Sequence, residues 1–235
     1  MKFSKGVLVQ AYVLHVSKYR DTSLIADLYS RENGRFSVIV KGARSKKSRY
    51  RGMIEAFTPL MLSISGKSDL KLVTGIEFPK KPFSISGKNL IVALYVNELL
   101  FRLLEKFDPL ECLFDAYEKL LTDFEESEDI TQSLRQFEID LLRELGYGIN
   151  FYSEANTQEG IVPESYYRFV VNEGFHIAEE SSEMRFLGRE IRNIASGKLE
   201  KVEASKLRFL TRSSLAILLG DKRLTSREIF SGVVK

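Results

Sequence analysis

The rhythm of hydrophobic and polar positions changes near residue 80. Before it, apolar residues fall in short alternating or continuous runs, which is the pattern of strands half or wholly buried. Five such segments stand out: Leu8–Val16, Thr22–Tyr29, Phe36–Val40, Leu60–Ile64 and Leu70–Thr74. Asn33-Gly34 separates the second from the third with residues that tolerate positive φ, so a hairpin is expected there. Gly66 supplies the turn between the last two. Five short strands, with the longest irregular connection between the third and fourth, fit a small five-stranded barrel. An OB-fold is one such barrel, and an SH3-like barrel fits the strand count nearly as well.

Phe78-Pro79-Lys80-Lys81-Pro82 interrupts both periodicities and marks a domain boundary. Beyond it the spacing becomes helical. Asn89 to Lys106 carries Leu90, Ala93, Leu94, Val96, Leu100, Leu103 and Leu104. A second helix follows Pro109, and a third runs from about Ile130 to Leu145, with Gly146 as a left-handed cap. Tyr166–Ile177 reads as a hairpin around Asn172-Glu173-Gly174. Helices are then expected near Arg185–Ala195 and Ala204–Leu219, with a short one at Ser226–Phe230. The expected class is therefore α+β: a barrel domain over 1–80, and a mainly helical domain over 81–235 with a small cysteine-free insert at about 147–180.

Composition narrows the chemistry. Of 235 residues 44% are hydrophobic and 29% charged, as in globular proteins. No apolar run reaches the length of a membrane span, and the N-terminal segment does not read as a signal peptide. A cytoplasmic address is expected. The single cysteine, Cys112, excludes an internal disulfide and any cysteine-based zinc site. His15 and His176 are isolated within strands, and no serine sits in a nucleophile elbow. Gly66-Lys67-Ser68 imitates the end of a phosphate-binding loop, but Met61 stands where the pattern needs glycine. No catalytic residue, metal or cofactor is expected, and a nuclease is disfavoured by the lack of a metal-ligand cluster.

Charge changes the picture most. Residues 1–80 hold 15 basic and 6 acidic side chains, a net of +9; the remainder holds 20 against 26, a net of −6. The basic excess concentrates in Val40–Gly52, VKGARSKKSRYRG, with Lys41, Arg44, Lys46, Lys47, Arg49 and Arg51 and no carboxylate. Such a segment neutralises phosphates and releases counterions. Tyr50, with Tyr12, Tyr29 and Phe36 on neighbouring strands, offers rings on which bases stack, although Tyr12 and Phe36 also suit a barrel core. The DNA-binding candidates are these six cations with Tyr50 and Arg35. A solvated loop or a trafficking signal would show the same residues, and a scaffold role for the helical half is the rival from another class.

Several segments together resemble the RecO family of bacterial recombination mediators. They are Lys41-Gly42-Ala43-Arg44-Ser45-Lys46-Lys47-Ser48, Phe57-Thr58-Pro59-Leu60, Leu134-Arg135-Gln136-Phe137-Glu138, Leu145-Gly146-Tyr147-Gly148-Ile149-Asn150-Phe151 and Ser226-Arg227-Glu228-Ile229-Phe230, with Tyr12-Val13-Leu14 and Thr22-Ser23-Leu24 at the start. The resemblance implies an N-terminal OB domain, a helical bundle and an inserted module. It also implies binding of single-stranded and duplex DNA, ATP-independent strand annealing, and action with RecR to load a RecA-type recombinase onto DNA covered by single-stranded-DNA-binding protein. The bacterial cytoplasm and nucleoid would be the place of action. Many members carry a four-cysteine zinc module after the Gly-Tyr-Gly turn; Asn150–Tyr167 here has no cysteine, so a zinc-free module held by packing is expected. On the same resemblance, the acidic, apolar tail of single-stranded-DNA-binding protein would meet Arg135 and Ile139 on the third helix.

Overall fold

A computed structural model of the chain describes residues 3–179 and 184–226. Five strands open the chain: β1 (Phe3–Tyr19), β2 (Ser23–Ser30), β3 (Gly34–Val40), β4 (Leu60–Gly66) and β5 (Leu70–Glu77). They close into a barrel of order β1-β2-β3-β5-β4. β3 and β5 run parallel through Ser37↔Leu70 and Ile39↔Leu72, and β1 closes on β4 from Val7↔Ile64 to Ala11↔Leu60. This shuffled order, with its parallel β3–β5 pair, is that of an OB-fold and not of the SH3-like barrel that also fits the strand count. The interior is filled by the inward members of the alternating runs, among them Val9, Ala11, Val13, Ala26, Leu28, Phe36, Val38, Leu62 and Ile64. Each Val, Leu, Ile or Phe among them contributes about 1.5–3 kcal/mol by leaving water.

The outside of the barrel is also partly buried, and that is where the helices attach. Helices α1 (Gly87–Leu103) and α2 (Glu111–Glu126) follow the strands. Tyr12 and Tyr29 pack against Phe114 and Tyr117 of α2, with ring centroids 5.3 to 6.1 Å apart. Their polar atoms are satisfied: the Tyr12 hydroxyl donates to Glu118 Oε1 at 2.6 Å, and the Tyr117 hydroxyl donates to Asn97 Oδ1 at 2.6 Å. Asn97 Nδ2 in turn donates to the Val13 carbonyl, beside the register shift of β1 between Val13 and His15. Burial, reinforced by Glu118, holds the Tyr12 hydroxyl far above the ordinary phenol range, so it remains a donor.

The chain forms two compact units, Met1–Glu128 with Lys222–Lys235, and Asp129–Asp221. The second contains α3 (Thr131–Glu144), β6 (Tyr166–Val170), β7 (Gly174–Ile177), β8 (Arg185–Leu187), α4 (Gly188–Ala195) and α5 (Ala204–Leu219). Its small sheet has the order β7-β6-β8. Gly146 follows α3 with φ +82, and Tyr147 N–H reaches back to the Leu142 carbonyl at 2.8 Å, which ends the helix in the left-handed turn its sequence announces. One element differs from expectation: Arg185–Leu187 is a strand, and the helix begins only at Gly188. The free edge of β6 takes these residues through Tyr166↔Leu187 and Arg168↔Arg185, so pairing outweighs their neutral helical preference. The expected helix at Ser226–Phe230 extends outside the described residues.

Candidate nucleic-acid interface

The connection from β3 to β4 is long, yet it is organised. Ser45, Ser48, Arg51 and Met53 each donate a backbone N–H three residues back, to Gly42, Ser45, Ser48 and Tyr50. Successive tight turns of this kind compact a segment that lacks a sheet partner. Ala43 and Ile54 are buried in the barrel core, and Tyr50 packs against it, so the loop is pinned at three points. Around these pins Lys41, Arg44, Lys46, Lys47, Arg49 and Arg51 are all exposed. Among the described residues none of the six forms an ion pair. Six uncompensated cations on one pinned loop raise the local potential where a polyanion would sit.

The arginines that do make contacts choose neutral carbonyls. The Arg44 backbone N–H donates to the Thr22 carbonyl at 2.8 Å, and its guanidinium Nη1 to the Arg20 carbonyl at 3.1 Å. Arg49 Nη2 and the Tyr50 hydroxyl both donate to the Thr74 carbonyl, at 3.1 and 2.9 Å, with the Arg49 guanidinium 4.6 Å from the Tyr50 ring centroid. These bonds orient the guanidinium groups while leaving their charge intact. They also bring in a neighbour that sequence reading missed, the β1–β2 turn. Lys18 and Arg20 are exposed there, and Arg20 lies 5.2 Å from the centroid of the half-buried Tyr19 ring. The triplet Lys18-Tyr19-Arg20 is visible in the sequence, but its place beside the loop depends on the Leu24↔Val40 register.

Of the four rings offered for stacking, Tyr12, Tyr29 and Phe36 are core. Only Tyr50 remains at the surface, and only in part. Arg35 is also set apart. It stands at the far end of β3 from the loop, five residues or about 17 Å away along the strand. Its Nε donates to the Leu104 carbonyl at 2.9 Å, its Nη1 lies 3.3 Å from Asp27 Oδ1, and only 15% of the side chain is exposed. Ser37 donates to Asp27 at 2.8 Å and accepts from Lys106 Nζ at 2.8 Å. The β2–β3 face that OB-folds commonly present to oligonucleotides is thus occupied here by the end of α1 and the segment after it.

In the second unit, Arg135 is buried. Its Nη1 is paired with Glu138 and lies 3.1 Å from Thr211 Oγ1, which itself donates to Glu138 Oε2 at 2.5 Å. Glu138 and Thr211 of α5 turn the Arg135 guanidinium inward, away from the surface that a peptide tail would reach. Among the described residues its Nε has no hydrogen-bond partner. Ile139 is half-buried against the unit's core. The Asn150–Tyr167 module is held by Phe151, Phe169, Phe175 and Phe186, with centroids 5.3 to 6.0 Å apart. Glu154 adds to it: N–H groups of Thr157 and Asn156 donate to Oε2 at 2.6 and 2.8 Å and hold its carboxyl below the usual range. His176 is buried beside Glu173 and Glu154, whereas His15 stacks on Phe101 at 4.6 Å. Among the described residues no group of three His, Cys, Asp or Glu could hold a metal, and no helix is long and apolar enough to cross a membrane.

Comparison with known proteins gives a consistent neighbourhood. The family described as Recombination protein O N terminal matches residues 5–81, and that described as Recombination protein O C terminal matches residues 86–228. A protein named DNA repair protein RecO from Aliivibrio fischeri (strain MJ11) is 39% identical over 227 residues, covering 95% of this chain and 94% of the relative. Proteins of the same name from Tolumonas auensis and Haemophilus influenzae are each 38% identical, over 97% and 95% of this chain and 96% and 95% of their own length. Among solved structures, asparaginyl-tRNA synthetase from Entamoeba histolytica matches with a TM-score of 0.27 and 13% identity, over 77% of this chain and 42% of that one; a likeness so slight carries no argument.

Proposed function

The chain belongs to the Recombination protein O family, and from that premise we propose that it acts in DNA repair and recombination by holding single-stranded DNA on the β3–β4 loop. The observation that carries this reading is the pinned loop itself, with six exposed cations and, among the described residues, no carboxylate paired to them. Lys41, Arg44, Lys46, Lys47, Arg49 and Arg51 would take phosphates, and Tyr50 would offer one ring edge. Arg35, engaged inside the barrel face, supports the fold of β3 and leaves phosphate contact to the loop. Contacts of this kind read charge and not sequence. Two complementary strands neutralised on such a surface repel less, so they pair faster with no bond made or broken and no nucleotide hydrolysed. In this role the chain would work with RecR to help a RecA-type recombinase replace single-stranded-DNA-binding protein.

The acidic, apolar tail of that protein would meet the Arg135–Ile139 stretch of α3 at the half-buried Ile139, while Arg135, held inward by Glu138 and Thr211, would support that helix face from beneath. Ile139→Ala is expected to weaken binding of a tail peptide several-fold, measured by fluorescence anisotropy; unchanged affinity would remove the assignment.

The main test uses the loop. Replacing Lys46, Lys47, Arg49 and Arg51 by Glu is expected to abolish binding of fluorescent single-stranded DNA and strand annealing, with circular dichroism unchanged. For the wild type, contact with about four to six phosphates gives a slope of log affinity against log salt of about −3 to −4. Undiminished binding by the variant would move the DNA surface elsewhere. Annealing of strands coated with single-stranded-DNA-binding protein separates a mediator from a general OB-type binding module, which would anneal only bare strands.

A further inference from the structure

The second unit carries a cleft with the chemistry of a nucleotide seat. It has a volume of about 300 Å³ and is lined by Phe151, Tyr152, Gly160, Ile161, Arg192 and the Ala195-Ser196 end of α4. Its floor is apolar, since Phe151 and Ile161 belong to the core of the unit. Its rim is different. Tyr152 is 73% exposed, an unusual state for a tyrosine. The backbone that presents the ring is held in place: Tyr152 N–H donates to Asn150 Oδ1 at 2.9 Å, and its carbonyl accepts from Ile161 N–H at 3.1 Å. The ring is therefore displayed by an ordered turn.

Arg192 supplies the complementary charge. It is exposed, and among the described residues its guanidinium has no ion-pair partner. None of the lining residues bears a carboxylate. The last carbonyls of α4 would face an anion with partial negative charge. However, Ser196, Gly197 and Lys198 donate backbone N–H groups to Arg192, Asn193 and Ile194, so those carbonyls are already taken. The larger cleft beside the Gly146–Gly148 turn, about 420 Å³, lacks this character because Glu173 lines it.

An exposed ring beside an unpaired guanidinium, over an apolar floor, matches the two faces of a nucleotide. We propose that this cleft holds one nucleotide of a single strand, with the base stacked on Tyr152 and a phosphate on Arg192. This deepens the proposed function and rests on it, because it gives the second unit a strand contact of its own. A chain with one contact in each unit holds strand segments at two places, which is what pairing two strands requires.

The sequence contains no tryptophan, so Tyr152→Trp places a single indole in the full chain. Titration with oligothymidylate is expected to quench its emission by about half or more, because stacked bases quench indole and stacking is tolerant of base identity. Adding Arg192→Glu is expected to raise the half-quenching concentration about tenfold. Quenching that persists at higher oligonucleotide concentration when the four loop cations are also Glu supports the cleft independently of the loop. An indole that stays unquenched while anisotropy shows the same chain saturated with oligonucleotide overturns the cleft and leaves the loop reading standing. If the fourfold loop variant binds as the wild type does and the indole is still quenched, the loop reading fails and the cleft survives.

Discussion

Arg35 and Arg49 show how little a residue's type says about its use. Arg35 lies in β3 and Arg49 in the loop after it, and both contact a backbone carbonyl. Arg49 keeps its charge at the surface, whereas Arg35 is enclosed by Asp27, Leu104 and Phe101. Arg35→Ala is therefore expected to cost about 1–3 kcal/mol in urea unfolding, because the Leu104 carbonyl loses its donor and, among the described residues, Asp27 keeps only the Ser37 donor. Affinity for single-stranded DNA measured below the unfolding transition should change less than twofold. A tenfold loss of affinity with normal stability would place Arg35 in the interface after all. The same distinction explains the aromatic residues. Tyr12, Tyr29 and Phe36 look like stacking platforms in the sequence because alternation alone cannot tell a barrel's inner face from an outer face covered by a helix.

At the scale of elements, the hairpin between β2 and β3 shows a local rule and a tertiary constraint meeting at one residue. Gly34 has φ +62, as its place after Asn33 suggests. What sequence does not show is that a Cβ there would lie 2.1 Å from the Asp108 carbonyl oxygen. Gly34→Ala is therefore expected to destabilise by more than about 2 kcal/mol, since it adds a collision with backbone to an unfavourable φ. Thermal melting followed by circular dichroism checks this; a shift of only a degree or two would mean that the 104–108 segment yields. The elements themselves were largely legible. The bounds of β2–β5 and of α1, α3 and α5 lie close to those read from periodicity, because each carries a regular apolar face. The short β8 was not, because three residues hold no period and only the edge of β6 defines them. The loop was legible as a cluster of charge. Its pinning by Ala43, Tyr50 and Ile54 was not, and neither was the approach of Lys18-Tyr19-Arg20, since both rest on contacts between strands distant in sequence.

At the scale of the molecule, the chain leaves its first unit after Glu128 and returns to it at Lys222. Glu98 of α1 receives the returning segment: Thr225 N–H donates to Oε1 at 3.0 Å, and Ser226 N–H and hydroxyl donate to Oε2 at 2.9 and 2.8 Å. Burial pushes the Glu98 carboxyl up, but these bonds and Arg102 together hold it below its ordinary value. The unfolded chain therefore takes up this proton first as the pH falls. The stability Glu98 contributes is complete above the unfolded value of about 4.3 and is lost as the pH falls through the lower folded one. Glu98→Gln is expected to lower stability by about 1–2 kcal/mol at pH 7 and to make the decline towards pH 3 shallower. Urea unfolding of both chains across that range checks the sign, and parallel curves would contradict it.

The sequence by itself determined the class of fold, the position of the basic loop and, through its motifs, the family. Those properties are written in local periodicity, punctuation and charge. Only the tertiary structure decided which barrel closes, which cations remain free and which rings are core. Strand order, the helix covering β2–β3 and the inward turn of Arg135 all depend on partners far along the chain, and a side chain's role at a surface depends on what packs over it.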